Sequence, residues 1–119
     1  MSISEMVGKT PKNITIGSDK DELNFYFSDG TLGRFYHEQD YNESVLISDV
    51  SGDVADLIGT PLLVAEERTE TGSDGGCESW TATFYTFRSI KGTVDVLWRG
   101  ESNGYYSESV DFQMKKLST

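Results

Sequence analysis

The sequence predicts an α+β protein that is mostly antiparallel β, built from two similar helix-plus-four-strand units closed on each other as a pseudo-twofold sandwich or barrel-like fold. Three observations carry this expectation. Apolar and polar residues alternate with a period of two over several short runs, as half-buried strands require. The pairs Asp29-Gly30, Lys91-Gly92 and Asn103-Gly104 punctuate those runs where tight turns are needed. One segment is nearly written twice, as Tyr41-Asn42-Glu43-Ser44-Val45 and as Tyr106-Ser107-Glu108-Ser109-Val110.

In chain order, Ser2 to Val7 reads as a short helix or turn, with Ser2 or Ser4 as N-cap and Gly8 closing it. Ile14 and Ile16 share one side of a strand over Asn13 to Gly17. After the polar turn Asp19-Lys20-Asp21, Leu23, Phe25 and Phe27 alternate with Asn24, Tyr26 and Ser28 in a second strand. Asp29-Gly30 then predicts a two-residue hairpin with positive φ at both positions. The return strand runs from Thr31 to His37. Glu38-Gln39-Asp40 reads as a loop or bulge, and Ser44 to Asp49 as a strand with Val45 and Ile47 on one face.

The second half follows the same plan. Ser51 or Asp53 caps a helix over Val54 to Ile58, which Gly59 and Pro61 end. Leu62 to Ala65 is an apolar strand that becomes charged at Glu66-Glu67-Arg68. Thr69 to Glu78 has no apolar pattern and predicts a surface loop with Cys77 near its end. Trp80, Ala82 and Phe84 alternate with Thr81, Thr83 and Tyr85 in a strand reaching Arg88. Beyond Lys91-Gly92, Val94, Val96 and Trp98 alternate with Asp95, Leu97 and Arg99. Tyr106, Glu108, Val110 and Phe112 make one face of a last strand, and Met114 to Thr119 reads as a tail with Lys115 and Lys116 in solvent.

One domain over residues 1–119 is expected, with repeat halves at about 1–50 and 51–114 and a tail at 115–119. Glu5-Met6-Val7-Gly8 aligns with Asp56-Leu57-Ile58-Gly59, Asn24-Phe25-Tyr26 with Thr83-Phe84-Tyr85, and Gly30-Thr31 with Gly92-Thr93. Chance likeness among short aromatic strands is the competing reading. A single half is too small to bury its own aromatic face, so the two would pack together.

Twenty acidic against ten basic side chains give a net charge of −10, which repels phosphates and argues against direct nucleic-acid binding. The charge serves solubility, or it attracts a basic partner, including a site that ordinarily holds nucleic acid. Cys77 is the sole cysteine, so neither an internal disulfide nor a cysteine-based metal framework can form. No apolar run spans a bilayer and no leader pattern opens the chain, so a cytosolic protein is expected.

The later motifs resemble a family of small, uncharacterised proteins of tailed phages and prophages. The residues concerned are Phe35-Tyr36-His37-Glu38-Gln39-Asp40, Asp56-Leu57-Ile58-Gly59-Thr60-Pro61, Ala65-Glu66-Glu67, Lys91-Gly92 and the run from Ser102 to Phe112. They cover the chain from about Thr31 to Phe112. The resemblance implies a phage origin and the host cytoplasm; it implies no reaction, because the family has no assigned activity. Relatives carry two adjacent cysteines where this chain has Tyr41-Asn42, so soft-metal binding by thiolates is absent at that point here.

Two loops hold the candidate binding residues. The first comprises His37, Gln39, Asp40, Tyr41 and Glu43, where the imidazole and two carboxylates form a conceivable hard-metal or acid–base set. A structural histidine at a strand end is the plainer reading. The second comprises Trp98, Arg99, Ser102, Asn103, Tyr105, Tyr106 and Glu108, rich in the residue types that anchor interfaces. Here the plainer reading is that Trp98 and Tyr106 are core and only the tip is exposed. No Gly-x-Ser-x-Gly elbow, Walker loop or dinucleotide fingerprint occurs, and carboxylate pairs among twenty acids decide nothing, so no catalytic residue and no cofactor is expected. The leading expectation is a non-enzymatic binder of a host protein, with inhibition by nucleic-acid mimicry as its sharper form. The alternatives are a small-ligand or metal-binding module, in which His37, Asp40, Glu43 and Glu108 converge, and an accessory virion component. The sequence leaves homo-oligomerisation open.

Overall fold

The computed structural model describes residues 3–37, 44–73, 79–102 and 110–117. Its strands are β1 (Pro11–Ile16), β2 (Glu22–Phe27), β3 (Thr31–Tyr36), β4 (Ser44–Ser51), β5 (Val64–Ser73), β6 (Ser79–Ser89), β7 (Gly92–Ser102) and β8 (Asp111–Lys116). All neighbours are antiparallel. Sheet A has the order β1-β2-β3-β8 and sheet B the order β4-β7-β6-β5. Each sheet takes three consecutive strands from one half of the chain and its fourth from the other, which corrects the expectation that each half makes its own sheet. Exchanging β1–β4 for β5–β8 turns one order into the other. The four edge strands do not pair with one another, so the sheets form a sandwich and not a closed barrel.

Alternation explains what lies between the sheets. Leu23, Phe25 and Phe27 of β2 and Phe35 of β3 are buried, facing Tyr85 and Phe87 of β6 and Val94, Val96 and Trp98 of β7. Phe25 meets Phe87 at 4.8 Å between ring centroids, and Phe35 meets Tyr85 at 4.7 Å and Phe112 at 4.8 Å. Each such side chain contributes roughly 1.5–3 kcal/mol on burial, so this aromatic seam is the main attraction between the layers.

The expected helices are shorter than predicted. Each is a 3-10 turn, Ile3–Met6 and Val54–Leu57, and no α-helix occurs among the described residues. Asp53 accepts the Ala55 N–H at 2.9 Å and starts the second turn, as an N-cap should. Met6 and Leu57 are the buried residues of the two turns. Gly8 and Gly59 follow them with φ of 89° and 90°. The Gly8 N–H donates to the Leu62 carbonyl and the Gly59 N–H to the Pro11 carbonyl, each at 2.8 Å.

Four further expectations need correction. The β2–β3 loop has three residues, Ser28 to Gly30, with Gly30 N–H bonded to Phe27 O at 3.1 Å and only Gly30 at positive φ; a type I turn with glycine at the bulge serves where a two-residue turn was expected. β5 runs through the charged residues and the polar stretch as far as Ser73, because threonine suits a strand and β6 supplies an unbroken ladder. β8 includes Lys115 and Lys116, which pair with Leu32 and Thr31, so they belong to a strand and not to a tail. The alignment of Phe25 with Phe84 also fails: Phe25 is buried between the sheets, whereas Phe84 lies on the opposite face from Tyr85. Burial matches Phe25-Tyr26-Phe27 to Tyr85-Thr86-Phe87 instead.

Candidate functional site

The outer faces of the two sheets differ in chemistry. On sheet A, Asn24 donates to Glu22 at 3.0 Å and Arg34 pairs with Glu22 at 3.1 Å. Those contacts, led by the Asn24 amide, hold the Glu22 carboxyl below its usual range. Arg34 also stacks on Tyr36 at 4.3 Å. This face uses its polar groups on one another.

On sheet B the registers build a grid of outward side chains. Its cross-strand rows are Gly72-Trp80-Glu101-Ser44, Glu70-Ala82-Arg99-Leu46, Arg68-Phe84-Leu97-Asp49 and Glu66-Thr86-Asp95-Ser51. Trp80, Ala82, Phe84, Leu97 and Leu46 make an apolar stripe across β6, β7 and β4. Leu46 is 38% exposed and Trp80, Phe84 and Leu97 are half-buried. Two guanidinium groups lie on the aromatics: Arg68 over Phe84 at 4.5 Å and Arg99 over Trp80 at 5.4 Å. Arg99 is fixed by Glu101 at 2.9 Å, and the Thr86 hydroxyl donates to Asp95 at 2.7 Å. Beside the stripe, an open groove of about 270 Å³ is lined by Ser44, Leu46, Ile47, Ser48, Arg99 and Glu101. The result is a continuous surface of aromatic and aliphatic groups with carboxylates among and beside them.

Of the residues singled out in the sequence, Arg99 stands in this face. Trp98, its neighbour, points the other way and is fully buried, so it is core and not a surface anchor. His37 directly follows β3 and is half-buried. The backbone of Ser102 pairs with Ser79 in the β6–β7 ladder. Gln39, Asp40, Tyr41, Glu43, Asn103, Tyr105, Tyr106 and Glu108 lie outside the described residues. The ends that bracket them do come together: Tyr36 pairs with Asp111 in sheet A, and Ser44 with Glu101 in sheet B. Sequence reasoning missed Trp80, Phe84, Arg68, Leu97 and Leu46. The available signal was Phe87, which shares parity with Tyr85 and would have sent Trp80 and Phe84 outward.

Among the described residues no group of three His, Cys, Asp or Glu side chains could hold a metal ion, and no helix is long and apolar enough to cross a membrane. Fourteen of the twenty acidic residues are described; they are spread over both 3-10 turns, β2, β4, β5, β7, β8 and the connections between elements.

A two-sheet antiparallel sandwich with an arginine-capped aromatic outer face defines a small β-domain. Residues 4–112 match the family described as a domain of unknown function, DUF7448, and the chain belongs to that family. No curated protein and no solved structure matches it.

Proposed function

We propose that this chain is a non-enzymatic protein of phage origin that binds and modulates a host protein through the outer face of sheet B. The observation that carries the reading is the stripe of Trp80, Phe84, Leu97 and Leu46 under the Arg68 and Arg99 guanidinium groups. Aromatic and arginine side chains dominate binding energy at interfaces, and a paired sheet presents them at little entropic cost. The carboxylates are scattered among the described residues, which favours solubility over an ordered imitation of phosphates; nucleic-acid mimicry is therefore not part of the proposal.

The architecture fits two diverged copies of one unit with exchanged fourth strands. Three observations support this: the interchangeable sheet orders, the burial of Met6 and Leu57 in matching 3-10 turns, and the reciprocal bonds Gly8 to Leu62 and Gly59 to Pro11. A twofold contact has that reciprocal form, with each copy giving what it receives.

The test is affinity capture from bacterial host lysate with the wild-type chain and with a Phe84→Ala, Arg99→Ala variant whose melting temperature is unchanged. A host protein retained by the wild type and lost with the variant is expected. Equal capture by both, or no capture by either, counts against the reading.

A further inference from the structure

We propose that the open edge of β5 takes up an extended lysine- or arginine-bearing segment of the partner protein as a fifth strand of sheet B. The inference rests on the protein-binding reading above and adds the partner's conformation and charge.

An edge strand presents a row of backbone donors and acceptors that a further strand can use, and folds normally block such rows. The four edges here are not equally blocked. β1 begins with Pro11, its register shifts between Pro11 and Asn13, and the Pro11 carbonyl already accepts from Gly59. β4 is bulged between Ile47 and Asp49, and the Ile47 N–H donates to the Lys20 carbonyl at 2.7 Å. β8 has six residues. β5 has ten, includes no proline, and pairs with β6 from Val64↔Arg88 to Ser73↔Ser79 without a shift. No strand among the described residues lies on its other side. Among the described residues, no backbone group of residues 64–73 bonds outside the β5–β6 ladder. The first 3-10 turn packs against this strand, yet every residue from Glu66 to Thr71 remains exposed.

Charge selects the occupant. Glu66 and Glu70 stand on the outer side of β5 and Glu67 on the other, against one cation, Arg68. Two copies of this edge brought together would oppose carboxylates, which disfavours self-pairing. A strand with cations at alternate positions meets a carboxylate in either facing. Its outward side chains would also continue the row that holds Arg68, Phe84 and Leu97, so edge and stripe would form one surface.

The experiment is a titration of the isotope-labelled full chain followed by amide resonances. The probe is an acetylated, amidated seven-residue peptide alternating lysine with valine and threonine. Two controls accompany it: the same peptide N-methylated at every residue, which keeps the charge but blocks pairing along both edges, and a version with glutamate for lysine. Shifts centred on the amides of residues 66–71 are expected, weakened about tenfold by N-methylation and strongly reduced for the glutamate peptide. A Glu66→Lys, Glu70→Lys variant is expected to reverse the preference between lysine and glutamate peptides. Equal binding of the N-methylated peptide, or no shifts at residues 66–71 with millimolar lysine peptide, overturns the inference. Shifts confined to Trp80, Phe84 and Leu97 overturn it too, while leaving the protein-binding face intact. Concentration-dependent oligomerisation through β5, with Lys115 and Lys116 of a second copy as the basic strand, would replace the proposed partner and so also overturns it.

Discussion

Gly72 sits directly across the β5–β6 ladder from Trp80, and a Cβ at Gly72 would stand 2.4 Å from the indole ring. The ring occupies the space that any other residue would fill. On its far side lies Arg99 in β7. Gly72→Ala should therefore force either the strand or the indole to move. The expected cost is about 1–3 kcal/mol, the usual range for overpacking, read from the urea midpoint. A displaced indole would also alter the near-ultraviolet circular dichroism. An unchanged midpoint and an unchanged spectrum would show that the ring is not seated on Gly72.

The contrast between neighbours in β7 and β6 gives a second expectation. Trp98 is fully buried among the core residues, whereas Phe84 is half-buried under Arg68 on the outer face. Trp98→Ala should cost about 3–5 kcal/mol, as large core truncations do. Phe84→Ala should cost about 1 kcal/mol or less, as expected for a partly solvated site. Equilibrium unfolding of the two variants tests both. A larger loss at Phe84 than at Trp98 would mean that the faces of sheet B have been assigned the wrong way round.

That assignment marks the limit of what was legible in the sequence. Strong alternation located β2 and β7 and fixed which of their faces is buried, because Leu23, Phe25 and Phe27, or Val94, Val96 and Trp98, have only polar or smaller competitors. In β6 both faces carry aromatics, so periodicity marks a strand without choosing a side. Polar β5 was legible only as far as Ala65, because its continuation is determined by the ladder to β6 and not by its own hydrophobicity. The exchange of β4 and β8 between sheets depends on contacts far apart in sequence, which local patterns do not encode. The proposed binding face was missed for the same reason: Arg68, Phe84, Leu97 and Leu46 come from four strands and meet only once the sheet is formed.

Asp29 predicts an acid-dependent component of stability. The Lys9 ammonium bonded to it, then the Thr31 hydroxyl and amide, hold its carboxyl at about 2 against an ordinary 3.8. A lowered folded value means that the unfolded chain takes up the proton first as pH falls. The contribution is thus complete above pH 3.8 and disappears as pH drops toward 2. The carboxylate is close to half exposed, so screening limits the contribution to about 1 kcal/mol or less. The stability difference between wild type and Asp29→Asn should be constant at neutral and mildly acidic pH and should vanish through that window. A difference that grows on acidification would contradict the sign.

Tyr85 makes the opposite prediction at the alkaline end. Its hydroxyl is enclosed and, among the described residues, makes no hydrogen bond of acceptable geometry, although Glu67 stands directly across the ladder. Burial, and after it the Glu67 charge, push the phenol's pKa well above its usual 10.0. In the unfolded chain the phenol ionises near that ordinary value while the folded chain keeps its proton. Unfolding then releases a proton, so stability is lost as pH rises past 10. Tyr85→Phe has no proton to release and no polar atom to desolvate. At neutral pH it should match the wild type or exceed it by up to ~1 kcal/mol, because an unsatisfied buried hydroxyl costs more than its absence. Above pH 10 its advantage should widen with each step in pH. Urea unfolding of both proteins at neutral and alkaline pH measures the two effects separately. A loss at neutral pH greater than ~1 kcal/mol would instead reveal a favourable bond from the hydroxyl.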